Sequence, residues 1–99
     1  MLIKVGVDIS RLNREVRRAL GVVGVFLQER GSELVVTSTY EGNHGAGSLH
    51  YANDAFDFRT PSWFGKLDGE KLAGKLGGGY DVVVESDHIH VEWDPKKGV

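Results

Sequence analysis

The fold is decided by residues 80–93, which read YDVVVESDHIHVEW. Two runs rich in valine, isoleucine and aromatic residues, 80–85 and 88–93, flank the polar dipeptide Ser86-Asp87. Two such runs joined by a two-residue polar turn are typical of an antiparallel β-hairpin. The segment therefore predicts a hairpin close to the end of the chain.

Upstream of the hairpin, strand and helix patterns alternate. Residues 2–7 form a short apolar opening, and residues 34–40 and 55–59 have strand patterns. Apolar residues recurring every three or four positions predict a first helix that Asp8 or Ser10 caps and Gly31 ends. Its expected buried positions are Leu12, Val16, Ala19, Leu20, Val23 and Leu27. Thr60-Pro61 predicts a second helix over about residues 62–76, which a run of three glycines ends.

The order of these elements is strand, helix, strand, loop, strand, helix, strand, strand. It predicts an α+β fold in which a small antiparallel sheet carries both helices packed on one face. The other face of the sheet would then be open to carry a site. The chain has 99 residues, which allow a single domain over residues 1–99 with a modest core.

Composition excludes several classes of function. With 40% hydrophobic and 26% charged residues the chain is ordinary for a globular protein, and its net charge of -2 gives no reason to expect nucleic acid. The clustered arginines, Arg11, Arg14, Arg17 and Arg18, have the spacing of a solvated helix face. No apolar run approaches the roughly 20 residues that cross a bilayer, and the start lacks the apolar core of a signal peptide. We therefore expect a soluble monomer, made in the cytoplasm, with no membrane insertion.

Three of the four histidines lie beside carboxylates in two short segments, residues 48–57 and 85–90, and the fourth, His44, lies just upstream of the first segment. Because the chain has no cysteine, any zinc must be held by nitrogen and oxygen. Residues two apart in a strand share a face, so His88 and His90 would project together. Such a pair on a sheet is commonly just solvated, but His50 and Asp57 change this interpretation, because a set of two histidines and one aspartate supplies three ligands. Three ligands leave the fourth position of zinc open for water, which favours catalysis over a structural role.

Two motifs carry a resemblance to a known family. SLHYANDAFD, residues 48–57, resembles the S-x-H-x-x-G-x-A-x-D motif of the D-alanyl-D-alanine carboxypeptidase and L-alanyl-D-glutamate endopeptidase family of zinc peptidases. DHIHVE, residues 87–92, resembles the second motif of that family, with an acid three residues before the last ligand. Hedgehog signalling domains share that fold and both motifs. The resemblance covers residues 37–93 and implies a hedgehog-like, D-Ala-D-Ala metallopeptidase-like fold.

The resemblance implies zinc as the cofactor, with His50, Asp57 and His90 as its ligands. Zinc polarises a scissile carbonyl and lowers the pKa of a bound water to around 7. A nearby carboxylate then acts as the base, and Asp87, three residues before His90, matches the acid of the family. Glu85 remains the alternative, because hedgehog domains place their glutamate further upstream.

Other residues near the motifs take roles by the same resemblance. His88 would stabilise the developing oxyanion by hydrogen bonding or positive charge. His44, six residues before His50, would do the same from its loop or be an exposed loop histidine. Asn53 stands at the usual glycine of the first motif, and because asparagine tolerates left-handed backbone geometry, the turn is expected to survive.

The substrate-binding residues implied by the resemblance are His44, Ser48, Tyr40 and Arg59. Glu41 stands where many of these peptidases have an arginine that grips a substrate carboxylate. A terminal D-alanine carboxylate would therefore lack its partner unless Arg59 substitutes. This loss disfavours a carboxypeptidase more than an endopeptidase.

The sequence thus predicts a zinc metallopeptidase that cuts peptidoglycan stem peptides, an endopeptidase rather than a D,D-carboxypeptidase. It would act on the cell wall, and its length and missing signal peptide fit a phage or prophage lysis or tail enzyme. The alternative is a non-catalytic, zinc-stabilised binding module of hedgehog-like fold. Non-haem iron is a third hypothesis, since two histidines and a carboxylate also hold that metal, but the order of the ligands here lacks the usual arrangement of that class.

Overall fold

The computed structural model describes residues 1–39 and 53–94. In chain order the elements of this part are β1 (Leu2–Ile3), α1 (Arg14–Gln28), β2 (Val35–Ser38), β3 (Ala55–Arg59), α2 (Lys66–Leu76), β4 (Tyr80–Val84) and β5 (His88–Trp93). The predicted order of strands and helices and the α+β class are confirmed. No helix in these two ranges is both long and apolar enough to cross a membrane.

The strands of the described part form one sheet with the order β1-β2-β3-β5-β4. Neighbours from β2 to β4 pair antiparallel, whereas β1 and β2 pair parallel. The prediction of an antiparallel sheet was therefore wrong at this edge, and the sheet is mixed. The reason is the connection: α1 carries the chain from β1 back along the sheet, and such a crossover places the next strand in the same direction as the first.

One hydrophobic core joins both helices to the sheet. From the strands it contains Phe56, Phe58, Ile89 and Val91, which are at most 1% exposed. From the helices and their flanks it contains Leu12, Val16, Ala19, Leu20, Val23, Phe26, Leu27, Leu72 and Leu76. All six buried positions predicted for the first helix are buried. Both helices therefore contribute to the core on the same face of the sheet.

The first helix begins later than predicted, because the expected capping residues are used in the turn before it. Asp8 Oδ1 accepts a hydrogen bond from the Ser10 amide at 2.8 Å, which holds that turn. The residue preceding α1 is Asn13, whose carbonyl accepts the Arg17 amide at 2.9 Å. The Asn13 side chain does not cap the helix; its Nδ2 donates to Asp54 Oδ1, just before β3.

The second helix also begins later than predicted, at Lys66 instead of residue 62. At its start the Gly65 amide donates to Asp68 Oδ2 at 2.9 Å. Thr60, the expected cap, instead donates its hydroxyl to the Glu85 carbonyl at 3.0 Å. The segment between β3 and α2 is therefore tied to the turn of the hairpin, and the helix starts only after the chain has left the sheet.

The predicted hairpin is confirmed. Tyr80–Val84 and His88–Trp93 pair antiparallel, with Val84 opposite Ile89. Beyond this pair the Glu85 amide donates to the His88 carbonyl at 2.9 Å, so only Ser86 and Asp87 form the turn.

Candidate metal centre

Strand alternation gives the sheet a second face that is lined by polar side chains. On β3 and β5 the residues between the buried core positions are Asp57, Arg59, His88, His90 and Glu92. Successive side chains of a strand point to opposite faces, so these five lie together on the face away from the core. We call this surface the polar face.

The centre of the polar face is the pair Asp57 and His90. The two residues are directly opposite each other in the register of β3 and β5. His90 Nδ1 lies 2.9 Å from Asp57 Oδ1, which is hydrogen-bonding distance. The His90 side chain is only 21% exposed and the Asp57 side chain only 14%. The sequence prediction placed both residues among the metal ligands, and the fold brings these two together.

A third side chain, Glu92, lies on the other side of the same imidazole. Its Oε1 is 3.3 Å from His90 Nε2, and the side chain is 17% exposed. The two ring nitrogens of His90 therefore each lie beside a carboxylate. Sequence reasoning gave Glu92 no role, although its position two residues after His90 on a strand is the signal that puts the two on one face.

This environment shifts the protonation of His90. Burial alone lowers the pKa of the imidazole, but the hydrogen bonds and negative charges of Asp57 and Glu92 act in the opposite direction. The carboxylates prevail, and the pKa of His90 is raised above its usual value of 6.5. A proton therefore competes with a cation for this imidazole more strongly than it would for an unperturbed histidine.

The entry to β3 is fixed by backbone hydrogen bonds, and this positions Asp57. Asn53 has a φ of 61°, the left-handed geometry that the sequence predicted for it. Its carbonyl accepts the Asn13 amide at 3.0 Å. The Asp54 carbonyl accepts the Trp93 amide at 2.8 Å. The first residues of β3 are thus held by the start of α1 on one side and by the end of β5 on the other.

The predicted catalytic acids lie at the tip of the hairpin. Asp87 Oδ1 is 2.7 Å from His88 Nδ1, and these side chains are 86% and 40% exposed. The hydrogen bond from His88 is the main reason that the pKa of Asp87 is lowered from its usual value of 3.8. Glu85 is opposite His88 across the last hydrogen bond of the hairpin, and opposed residues share a face of the sheet. Glu85 therefore borders the polar face, while Asp87 belongs to the turn.

Arg59 and His88 occupy opposed positions at the end of β3 and the start of β5. Arg59 is exposed, and it lies two residues beyond Asp57 on the same face. A guanidinium at this place is available to a carboxylate that approaches the Asp57 and His90 pair.

Four predicted site residues, Tyr40, His44, Ser48 and His50, lie outside the described residues. Within residues 1–39 and 53–94, no three side chains of histidine, cysteine, aspartate or glutamate form a group arranged to hold a metal ion. The pair Asp57 and His90 nevertheless offers one oxygen and one nitrogen donor in contact. Such donors suit zinc in a protein without cysteine, so the described residues fit two ligands of the predicted three.

The chain was compared with models of known protein families, with curated proteins and with solved structures, and none of them matched. The geometry of the polar face and the sequence motifs are therefore the basis for a functional proposal.

Proposed function

We propose that this chain is a zinc metallopeptidase that hydrolyses peptide bonds in peptidoglycan stem peptides, with endopeptidase activity favoured over D,D-carboxypeptidase activity. The observation that carries the proposal is the contact between Asp57 and His90. These two residues are far apart in the sequence, belong to two different motifs, and meet on a face of the sheet that is not used for the core.

In this proposal Asp57 and His90 hold the metal together with His50. Zinc would supply a Lewis acid for the scissile carbonyl and would make a bound water acidic enough to lose a proton near neutral pH. The carboxylate and the imidazole need no large rearrangement for this task, because strand pairing already fixes them side by side. The partial burial of both side chains also supports a role in metal binding, because less hydrated ligands interact more strongly with a cation.

Asp87 is the proposed base that takes the proton of the attacking water, and Glu85 is the alternative. Glu85 borders the polar face at the end of the hairpin, and Asp87 lies in the adjacent turn beside His88. His88 would donate a hydrogen bond to the oxyanion that develops on the carbonyl oxygen. Its exposure of 40% leaves the imidazole accessible to a substrate.

Arg59 is the proposed partner of a substrate carboxylate. Stem peptides carry carboxylates along their length as well as at their end, so an arginine at the border of the polar face fits an endopeptidase. It would compensate for Glu41, which stands where an arginine is expected from the resemblance. Zinc and peptidoglycan are accordingly the cofactor and the partner in this proposal.

The test is digestion of purified peptidoglycan by the zinc-loaded protein, followed by mass spectrometry of the released fragments. New amino termini within stem peptides are the expected result, whereas free D-alanine would indicate a carboxypeptidase. A His90→Ala variant should release neither. Glu70→Gln, an exposed position on α2, is the matched control and should behave as the wild type. Wild-type protein that binds zinc but releases nothing would contradict the peptidase proposal.

The second candidate is a non-catalytic, zinc-stabilised binding module. It is favoured by the surroundings of Asp87, which is 86% exposed and hydrogen-bonded to its neighbour His88. An exposed carboxylate with a lowered pKa is a weak base. For this candidate we expect one equivalent of bound zinc, a raised unfolding temperature with zinc, and retention on insoluble peptidoglycan without any released fragment.

A further inference from the structure

The imidazole of His90 is contacted by carboxylates at both ring nitrogens. Asp57 Oδ1 lies 2.9 Å from Nδ1, and Glu92 Oε1 lies 3.3 Å from Nε2. The two nitrogens of an imidazole point in diverging directions, so a single cation can bind only one of them. Asp57 and Glu92 therefore cannot both share a cation with His90, and the two acids must have different tasks.

A cation held by Asp57 and His90 would bind on the Nδ1 side of the ring, where these two side chains meet. The Nε2 nitrogen would then keep its proton, because a neutral imidazole carries one N–H. That N–H faces the Glu92 carboxylate. Because this carboxylate is only 17% exposed, water competes little for the hydrogen bond. In metal centres the hydrogen bond made by the second ring nitrogen decides the tautomer and holds the ring in position.

We propose that Glu92 is the positioning residue of this metal centre. Its carboxylate accepts the hydrogen bond from Nε2–H of His90, and this selects the tautomer whose Nδ1 lone pair is directed at Asp57 and the metal. Glu92 acts through His90 and does not contact the metal itself. The inference rests on the proposed function, because that function assigns Asp57 and His90 as ligands.

The sheet explains why Glu92 can hold this position. Glu92 lies two residues after His90 on β5, so both side chains leave the strand on the polar face. On the neighbouring strand β4 it is opposite Asp81, and on β3 it is opposite Ala55. Strand pairing on both sides fixes the backbone of Glu92, and its side chain is only 17% exposed. In this position the carboxylate lies beside Nε2 of His90 in the metal-free structure.

The rival assignment exchanges the two acids, with the cation on the Nε2 side beside Glu92 and with Asp57 orienting the ring. The two assignments differ in which nitrogen bears the proton in the loaded protein. They also differ in which substitution is the more harmful. Loss of an outer carboxylate lowers metal affinity by about 10-fold to 100-fold, whereas loss of a ligand costs more.

The experiment measures zinc affinity by competition with a chromophoric chelator for the wild type, Glu92→Gln, Glu92→Leu, Asp57→Asn and the control Glu70→Gln. The amide of Glu92→Gln still accepts a hydrogen bond, so we expect a smaller loss than for Glu92→Leu, which should bind about 10-fold to 100-fold more weakly. Asp57→Asn should bind most weakly of all, and the control should match the wild type.

A second measurement needs no variant. In the zinc-loaded wild type, ¹⁵N NMR of the histidine rings should show Nε2 of His90 protonated and Nδ1 bound to the metal. Glu92 variants that bind zinc as tightly as the wild type, or a protonated Nδ1, would overturn the inference while leaving a zinc site in place. A wild type that binds no zinc would overturn the proposed function together with this inference.

Discussion

Asp57 on β3 and His90 on β5 are directly opposed, and their side chains meet at 2.9 Å on the polar face. The contact is a consequence of strand register. A shift of one residue between β3 and β5 would turn one of the two toward the core. Because Phe58 and Ile89, the next opposed pair, are fully buried on the core face, packing of the core holds the register that creates the site.

Substitution of Asp57 by asparagine should weaken zinc binding more than about 10-fold. The amide keeps the shape of the side chain but removes the negative charge that a cation requires. Isothermal titration calorimetry measures the effect, with Glu70→Gln as a control for the loss of a surface carboxylate. Equal zinc affinity of Asp57→Asn and the wild type would exclude Asp57 as a ligand.

Asp87→Asn should reduce turnover of a stem-peptide substrate by about 100-fold to 10,000-fold, the range expected for loss of a general base. Zinc affinity should stay unchanged, because Asp87 is in the turn and does not contact Asp57 or His90 in its observed position. Glu85→Gln tests the alternative base under the same conditions. A large loss for Glu85→Gln with little loss for Asp87→Asn would transfer the role to Glu85.

The pH dependence of the metal-free protein should report the environment of His90. The raised pKa means that the folded state binds the proton more tightly than the unfolded chain. The resulting contribution to stability is fully present below about pH 6.5, the usual pKa, and is lost as pH rises through the raised pKa of the folded state. Urea unfolding at a series of pH values checks the sign, and NMR titration of the imidazole gives the pKa. Asp57→Asn should lower this pKa and flatten the pH dependence of stability.

Asn53 should be replaceable by glycine but not by a β-branched residue. Glycine adopts a φ of 61° without strain, whereas the β-branched side chain of valine would clash with its own backbone at this angle. We expect Asn53→Gly to keep the unfolding temperature within a few degrees and Asn53→Val to lose about 1 to 3 kcal/mol. Thermal unfolding of both variants makes the comparison, and similar stability of the two would contradict the left-handed geometry.

Replacement by alanine should have different effects on protein stability at two glycines of α2, Gly69 and Gly74. A Cβ at Gly69 would lie 2.7 Å from Val84 Cγ2 on β4, so either the Val84 side chain or the helix would have to move. A Cβ at Gly74 would meet nothing within 4 Å. Gly74→Ala should therefore stabilise the protein by about 0.5 to 1 kcal/mol through helix propensity. Gly69→Ala should be at least about 1 kcal/mol less stable than Gly74→Ala. Chemical denaturation measures both.

The parts of the fold that sequence predicted are those governed by local periodicity. The alternation around His90 revealed the hairpin and the shared face, and the helical spacing from Leu12 to Leu27 gave the buried side of α1. The errors concern residues whose partners are distant in the chain. Threonine is a common helix-capping residue, but the Thr60 hydroxyl instead donates a hydrogen bond to the Glu85 carbonyl. The direction of β1 likewise depends on its pairing with β2, which no pattern within residues 2–7 encodes.

The candidate site was predictable to a similar extent. Motif resemblance indicated Asp57 and His90, and their contact follows from strands that pair in one register. Glu92 was missed although it ends the second motif, because the resemblance assigns it no role and a carboxylate on a strand is usually only a solvated residue. Only the fold shows that it meets the second nitrogen of His90.

The two-residue turn at Ser86 and Asp87 has a consequence for how such a protein can diversify. The pairing of β3 with β5 holds Asp57 beside His90, and the residues of the turn are not part of this pairing. Insertion or deletion at the tip would move Asp87 and leave that pair untouched. Under the proposed function, zinc binding would therefore be separable from hydrolysis by mutation, because the proposed ligands Asp57 and His90 lie in paired strands and the proposed base lies in the turn.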